Sequence, residues 1–172
     1  MKATTQCVSA CILLTLFLFL FLFLGVPTTF AQSWAYTGRL QHDRQFHTAT
    51  LLQNGKVLIT GGVNNNNQTM AKAELYNPAT GTWAYTGDLQ HDRKFHTATL
   101  LQNGKVLIVG GANNDGETIT AAELYNPATG TFSYTGSLKH DRSRHAATLL
   151  ANGKVLIAGG WTVVVNPHPP RL

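Results

Sequence analysis

Cysteine is nearly absent from this 172-residue chain, and its placement matters more than its number. Cys7 and Cys11 both lie in an apolar N-terminal segment, so the rest of the chain holds no thiol. That excludes a disulfide, a cysteine-ligated metal and a cysteine nucleophile there. Charge is scarce as well, at 12%. A disordered chain combines low hydrophobicity with high net charge, and a coiled coil is dominated by Ala, Glu, Lys, Leu and Arg; neither description fits. The formal charge of +5 is spread without a basic run or patch. It reads as a solvated surface and excludes nucleic acid as a partner. Beyond the N-terminal segment no stretch has a helical period. The glycine pairs open no helix, which excludes a dinucleotide-binding phosphate loop.

In residues 1–31 Lys2 is the only charge, and the run from Ala10 to Val26 is apolar apart from Thr15 and Gly25. A positive start, an apolar run and a small-residue exit at Thr29-Phe30-Ala31 predict a secretory signal peptide cleaved after Ala31. The expected location is secreted or extracytoplasmic. The alternative is an uncleaved membrane anchor through residues 10–26, because roughly 17 apolar residues barely span a bilayer. An exported domain without disulfides is held by core packing.

Self-similarity dominates what remains. Trp34-Ala-Tyr-Thr-Gly returns at Trp83 and, as Phe-Ser-Tyr-Thr-Gly, at Phe132. His42-Asp43-Arg44 returns at His91 to Arg93 and at His140 to Arg142; Gly61-Gly62 returns at Gly110-Gly111 and Gly159-Gly160. Units 34–82 and 83–131 are identical at 39 of 49 positions. Each unit reads as strand and turn throughout. His47 to Gln53 is a β-branched and apolar run, and Asn54-Gly55 predicts a hairpin with both turn residues at positive φ. Lys56 to Thr60 is the return strand. Ala71 to Asn77 is a third strand, Pro78 to Gly81 a tight turn, and Thr82 to Gly87 a fourth strand.

Four short antiparallel strands per 49 residues, Gly-Gly after the second, and Tyr-Asn-Pro before Gly-Thr-Trp resemble the Kelch repeat. The likeness covers residues 34–160 and is nearest to the secreted bacterial type, with Arg…His-Thr-Ala-Thr-Leu-Leu, Asn-Gly-Lys-Val-Leu-Ile and Gly-Gly in order. It implies an all-β fold, a partial Kelch-type β-propeller of four-stranded antiparallel blades. Repeats 34–82 and 83–131 are whole and 132–160 is partial, so under three repeats are present and the ring is incomplete. Residues 161–172 form an atypical tail in which Trp161 to Pro167 is a candidate third strand, and residues 34–40 stand as a fourth strand. An incomplete ring predicts either a truncated or fragmentary gene product or closure by self-association.

The resemblance assigns structural roles to Arg44, Arg93 and Arg142, which in the family tie neighbouring blades through buried hydrogen bonds, and to His47, His96 and His145. The double glycines 61–62, 110–111 and 159–160 are expected where backbones of neighbouring blades approach closely. Trp34, Trp83 and Phe132 are expected as apolar anchors beside Tyr76 and Tyr125. Glu74 and Glu123, isolated among apolar neighbours, are expected to meet a structural partner such as the repeat's Arg. His42, His91 and His140, with Asp43, Asp92 and Asp141, precede the first strand and could face a propeller mouth. The loops after Gly-Gly differ most between repeats. Asn64, Asn65, Asn113, Asn114, Asp115 and Glu117 are therefore the candidate ligand contacts. Asn67-Gln68-Thr69 is a glycosylation sequon, relevant in a eukaryotic host.

No nucleophile, paired carboxylate or metal cluster rises above the repeat pattern. The expected function is an exported, non-enzymatic binding module with no catalytic residue, cofactor or metal, and with a protein or glycan ligand. The alternative is part of a carbohydrate-active or galactose-oxidase-like propeller enzyme without its catalytic residues. The copper chemistry of that family needs a Cys–Tyr thioether, which a mature chain without Cys cannot form.

Overall fold

A computed structural model describes residues 36–162. The expected export segment or anchor, Trp34, and the tail from residue 163 onward lie outside the described residues. Ten strands make three antiparallel sheets. The first blade contains β1 (Thr48–Leu51), β2 (Val57–Thr60), β3 (Ala73–Asn77) and β4 (Thr82–Tyr85), hydrogen-bonded in that order. The second repeats it with β5 (Thr97–Leu100), β6 (Val106–Val109), β7 (Ala121–Asn126) and β8 (Thr131–Ser137). The third contributes β9 (Ala146–Leu149) and β10 (Val155–Ala158). The fold is all-β, and its two full blades and one partial blade make a partial propeller.

Local chemistry accounts for the meander. Leu52 donates to Lys56 O, Gly55 donates to Leu52 O, and Lys56 N donates to Asn54 Oδ1. Gly55 has φ 78°, and Asn54 is not among the positive-φ residues. The expected two-residue hairpin with both residues at positive φ is thus corrected to a three-residue loop, a turn followed by one left-handed glycine. Gly104 and Gly153 repeat it. At the other hairpin, Asn77 O accepts from Gly81 N at 2.9 Å, and Gly81 takes φ 67°. Residues 36–40 form no strand. They are held instead by Gly38 N on Gly81 O and by Trp83 Nε1 donating to Gly38 O.

The core lies between blades. Alternation along a strand sends successive side chains to opposite faces. Leu52, Leu58 and Ala73 of the first blade therefore meet Val106, Ile108, Tyr125 and Phe132 of the second, all buried. The first strands β1, β5 and β9 stand side by side, so they are the inner strands of the array. The innermost backbone contacts run from Phe95 N to Phe46 O and from Arg144 N to Phe95 O. Loops 41–47 and 63–70, with their counterparts, emerge together at one end of the strands. The β1–β2 and β3–β4 turns emerge at the other.

Candidate functional site: the loop end of the blades

The buried polar groups at the loop end hold the scaffold together. Arg93 Nη1 donates to Gly110 O (2.9 Å) and Ala121 O (3.0 Å), its Nε to His91 O (3.3 Å), and its Nη2 to Glu123 Oε1 at 2.5 Å. Neither side chain of that ion pair is exposed. Burial lowers the Arg93 pKa, and Glu123 opposes the shift. Glu123 also accepts from the backbone N–H of Gln90 and His91. Arg44 repeats the arrangement with Gly61 O, Lys72 O and Glu74. Every one of these partners lies within the arginine's own blade. The expectation that the guanidinium ties neighbouring blades is corrected: it ties the loop before the first strand to the second and third strands.

Neighbouring blades are joined by other groups. The carbonyl of Arg93 accepts from Gly62 N at 2.8 Å, and that of Arg142 from Gly111 N at 2.9 Å. His96 reaches back with Nε2 to Thr48 Oγ1 (3.0 Å) and Thr60 Oγ1 (3.1 Å), leaving Nδ1 buried without a partner. Burial, then the charge of Arg93, pushes its pKa down to about 3, so the ring is neutral at pH 7. His145 finds Thr97 at 2.9 Å, with Val109 where Thr60 stood. His47 is exposed. Gly61 sits against this joint: a Cβ there would lie 2.5 Å from Arg93 O and 2.8 Å from the His96 ring, and φ is 60°. Gly110 faces Arg142 and His145 in the same way. Gly62, Gly111 and Gly160 abut the loop of their own blade, and Gly159 meets nothing within 4 Å. Gly38 and Gly87, not singled out in the sequence, press on the neighbouring Gly81 and Gly130 carbonyls.

Tyr125 and Phe132 are buried with ring centroids 4.8 Å apart, whereas Tyr76 and Trp83, 4.9 Å apart, are half-buried. Tyr125 OH pairs with Thr86 Oγ1 at 2.9 Å.

Among the surface candidates, His42 Nδ1 pairs with Tyr85 OH at 2.9 Å and His91 Nε2 with Tyr134 OH at 2.8 Å. Tyr85 and Tyr134 belong to the outermost strands, so these histidines turn away from the inner strands. Asp92 and Asp141 accept from Thr69 and Thr118 of the preceding blade, and Asp43 from Asn65 Nδ2 at 3.2 Å. Asn64 Oδ1 accepts from the N–H of Asn66 and Gln68, and Asn113 Oδ1 from Glu117 N. Both asparagines therefore fold their own loops. Asn113 Nδ2 donates to Glu117 Oε2, and Asn114 Oδ1 accepts from Thr69 N across the blade boundary. Asp115 is exposed. His91, Asp92, Asn113 and Glu117 come together with Thr118 around a cleft of about 300 Å³. No group of three or more His, Cys, Asp or Glu with metal-binding geometry occurs among the described residues.

A second constellation escaped the sequence reading. Phe46, Phe95 and Arg144 hold one repeat position, and all three have positive φ, at 57°, 57° and 54°. A glycine would adopt this conformation without strain; a bulky side chain there costs about 1–3 kcal/mol. The Phe46 and Phe95 rings lie 4.5 Å apart, and the Arg144 guanidinium lies 3.8 Å over Phe95 and 5.7 Å from the Trp161 ring. The signal available in the sequence was the 49-residue recurrence of an apolar residue immediately before His47 and His96.

No curated protein matches the chain. Residues 47–90 match the Kelch motif. The strands and Gly-Gly pair of the matched segment recur in the second blade, which supports a Kelch-repeat protein.

Proposed function

We propose that this protein is an exported, non-catalytic interaction module that holds a ligand at the loop end of its blades. The observation carrying this reading is a division of labour. Buried ionic and imidazole groups are engaged in scaffold bonds, as with Arg93–Glu123 and His96–Thr60. The loops they support differ between repeats more than the strands do, as Asn65-Asn66-Asn67 against Asn114-Asp115-Gly116. A rigid scaffold presenting divergent loops is the arrangement expected of a recognition surface. The N-terminal apolar segment, with its Thr29-Phe30-Ala31 exit, supports export.

The test is a panel of glycans and peptides offered to the purified full chain, with bound material recovered and weighed by mass spectrometry. A bound ligand returned unchanged is the expected result, and conversion of the ligand would overturn the non-catalytic reading. N-terminal sequencing of the protein recovered from a secreting host should begin at Gln32.

A further inference from the structure

We infer that the stack formed by Phe95, Arg144 and Trp161 is a subsite for an acidic sugar residue, a hexuronate of an extracellular glycan; this rests on the binding-module reading. A cavity of about 230 Å³ opens here, lined by Lys94, Phe95, Ala112, Ser143, Arg144 and Trp161 among others. It lies between the second and third blades, beside the inner strands, and is separate from the polar cleft at His91.

Three features define the ligand. The first is charge. Two cations, Lys94 and Arg144, line the cavity and no carboxylate does. Neither side chain makes a hydrogen bond or ion pair among the described residues. The Arg144 guanidinium lies 3.8 Å over the Phe95 ring, and its N–H donors are not taken by any other described residue. A planar fork of donors matches a carboxylate with two parallel hydrogen bonds. The second is an apolar face. Trp161 is 66% exposed, although its backbone is fixed by paired hydrogen bonds with Ser143 at 2.9 and 3.0 Å. A pyranose ring presents C–H groups of partial positive charge to the negative face of an indole. The third is size and openness: the cavity is small for a drug-sized ligand, and its open side leaves the hydroxyl edge of a sugar to solvent and to Ser143. Arg144 and Phe95 are kept in left-handed backbone that a glycine would occupy without strain, so the position retains its side chains against a conformational cost.

The experiment is titration of the purified full chain with oligogalacturonate, followed by tryptophan fluorescence and calorimetry, beside neutral oligogalactose and benzoate. Arg144→Ala, Arg144→Lys and Trp161→Ala are compared with the parent chain, and unchanged circular dichroism checks the fold of these exposed-site variants. Oligogalacturonate is expected to bind at least 10-fold tighter than oligogalactose. Arg144→Ala and Trp161→Ala should each weaken it at least 10-fold, and Arg144→Lys less. Should Trp161→Ala fail to fold, Arg144→Ala alone decides. Benzoate binding as tightly as the uronate would overturn the sugar assignment. Uronate binding indifferent to both substitutions, or neutral glycan binding alone, would overturn this subsite while leaving the binding module intact. Failure of every glycan and peptide in the wider panel would overturn the module itself.

Discussion

Arg93 and Arg142 occupy the same position in successive blades and meet different surroundings. Arg93 is fully buried, binds three carbonyls and closes on Glu123. Arg142 keeps the Gly159 carbonyl at 2.9 Å, and its Nε has no partner. The same contrast runs through the glycines, since Gly110 is pressed by the next blade and Gly159 is not. It also runs through the second strands: Leu58 is 1% exposed and Leu156 54%. The repeat motif is thus only half of each site. Its third strand supplies the carboxylate, and the next blade supplies the burial.

The largest expected effect comes from removing that carboxylate. Glu123→Ala leaves Arg93 buried and uncompensated and should cost about 3–5 kcal/mol in urea unfolding. Arg142→Ala, which loses one hydrogen bond, should cost about 1 kcal/mol or less. Equal effects would break the comparison. Next, Gly110→Ala combines a strained φ with a Cβ 2.6 Å from the Arg142 carbonyl. It should cost more than about 3 kcal/mol, against about 1–2 kcal/mol for Gly159→Ala, where only the φ is strained. Thermal melts of the two variants distinguish these outcomes.

Acid sharpens the contrast between His96 and His47. The folded state holds His96 neutral, with its pKa pushed down to about 3. Its stabilising contribution is complete above the unfolded value of about 6.5 and is lost as the pH falls from there toward about 3, because the unfolded chain takes up a proton that the folded chain refuses. Between pH 6.5 and 4.5, His96→Gln should remove about 2–3 kcal/mol of the measured loss of stability. His47→Gln should change the slope less, because His47 lies at the surface and its pKa is lowered only by partial burial and by the charge of Arg44. Smallest is the tyrosine pair. Tyr125→Phe removes a bond to Thr86 and should cost about 1 kcal/mol, and Tyr76→Phe less, because Tyr76 is half-buried and readily bonds water instead.

Much of the fold was legible because the repeat states it more than once. The strands, turns and Gly-Gly positions follow from alternation, Asn-Gly, Asn-Pro and the 49-residue step. The pairing of Glu with Arg was legible as well, from a lone charge among apolar neighbours. The direction of the ties was not: an arginine beside a blade boundary gives no sign of whether its donors turn inward or across. The candidate loop contacts were legible as positions but not as roles, since Asn64 and Asn113 look free in sequence and are engaged in folding their own loops. Phe46, Phe95 and Arg144 were missed because a backbone φ has no signature when the residue is not glycine.

By itself, then, the sequence determined the repeat unit, its strand order and the absence of thiol chemistry beyond residue 31, because these depend on local pattern and composition. Only the tertiary structure decided which copy of each motif is completed, and which side chains stack beside the inner strands. Those outcomes depend on what lies across a blade boundary. Identical motifs acquire different energies when one faces a neighbouring sheet and another faces water.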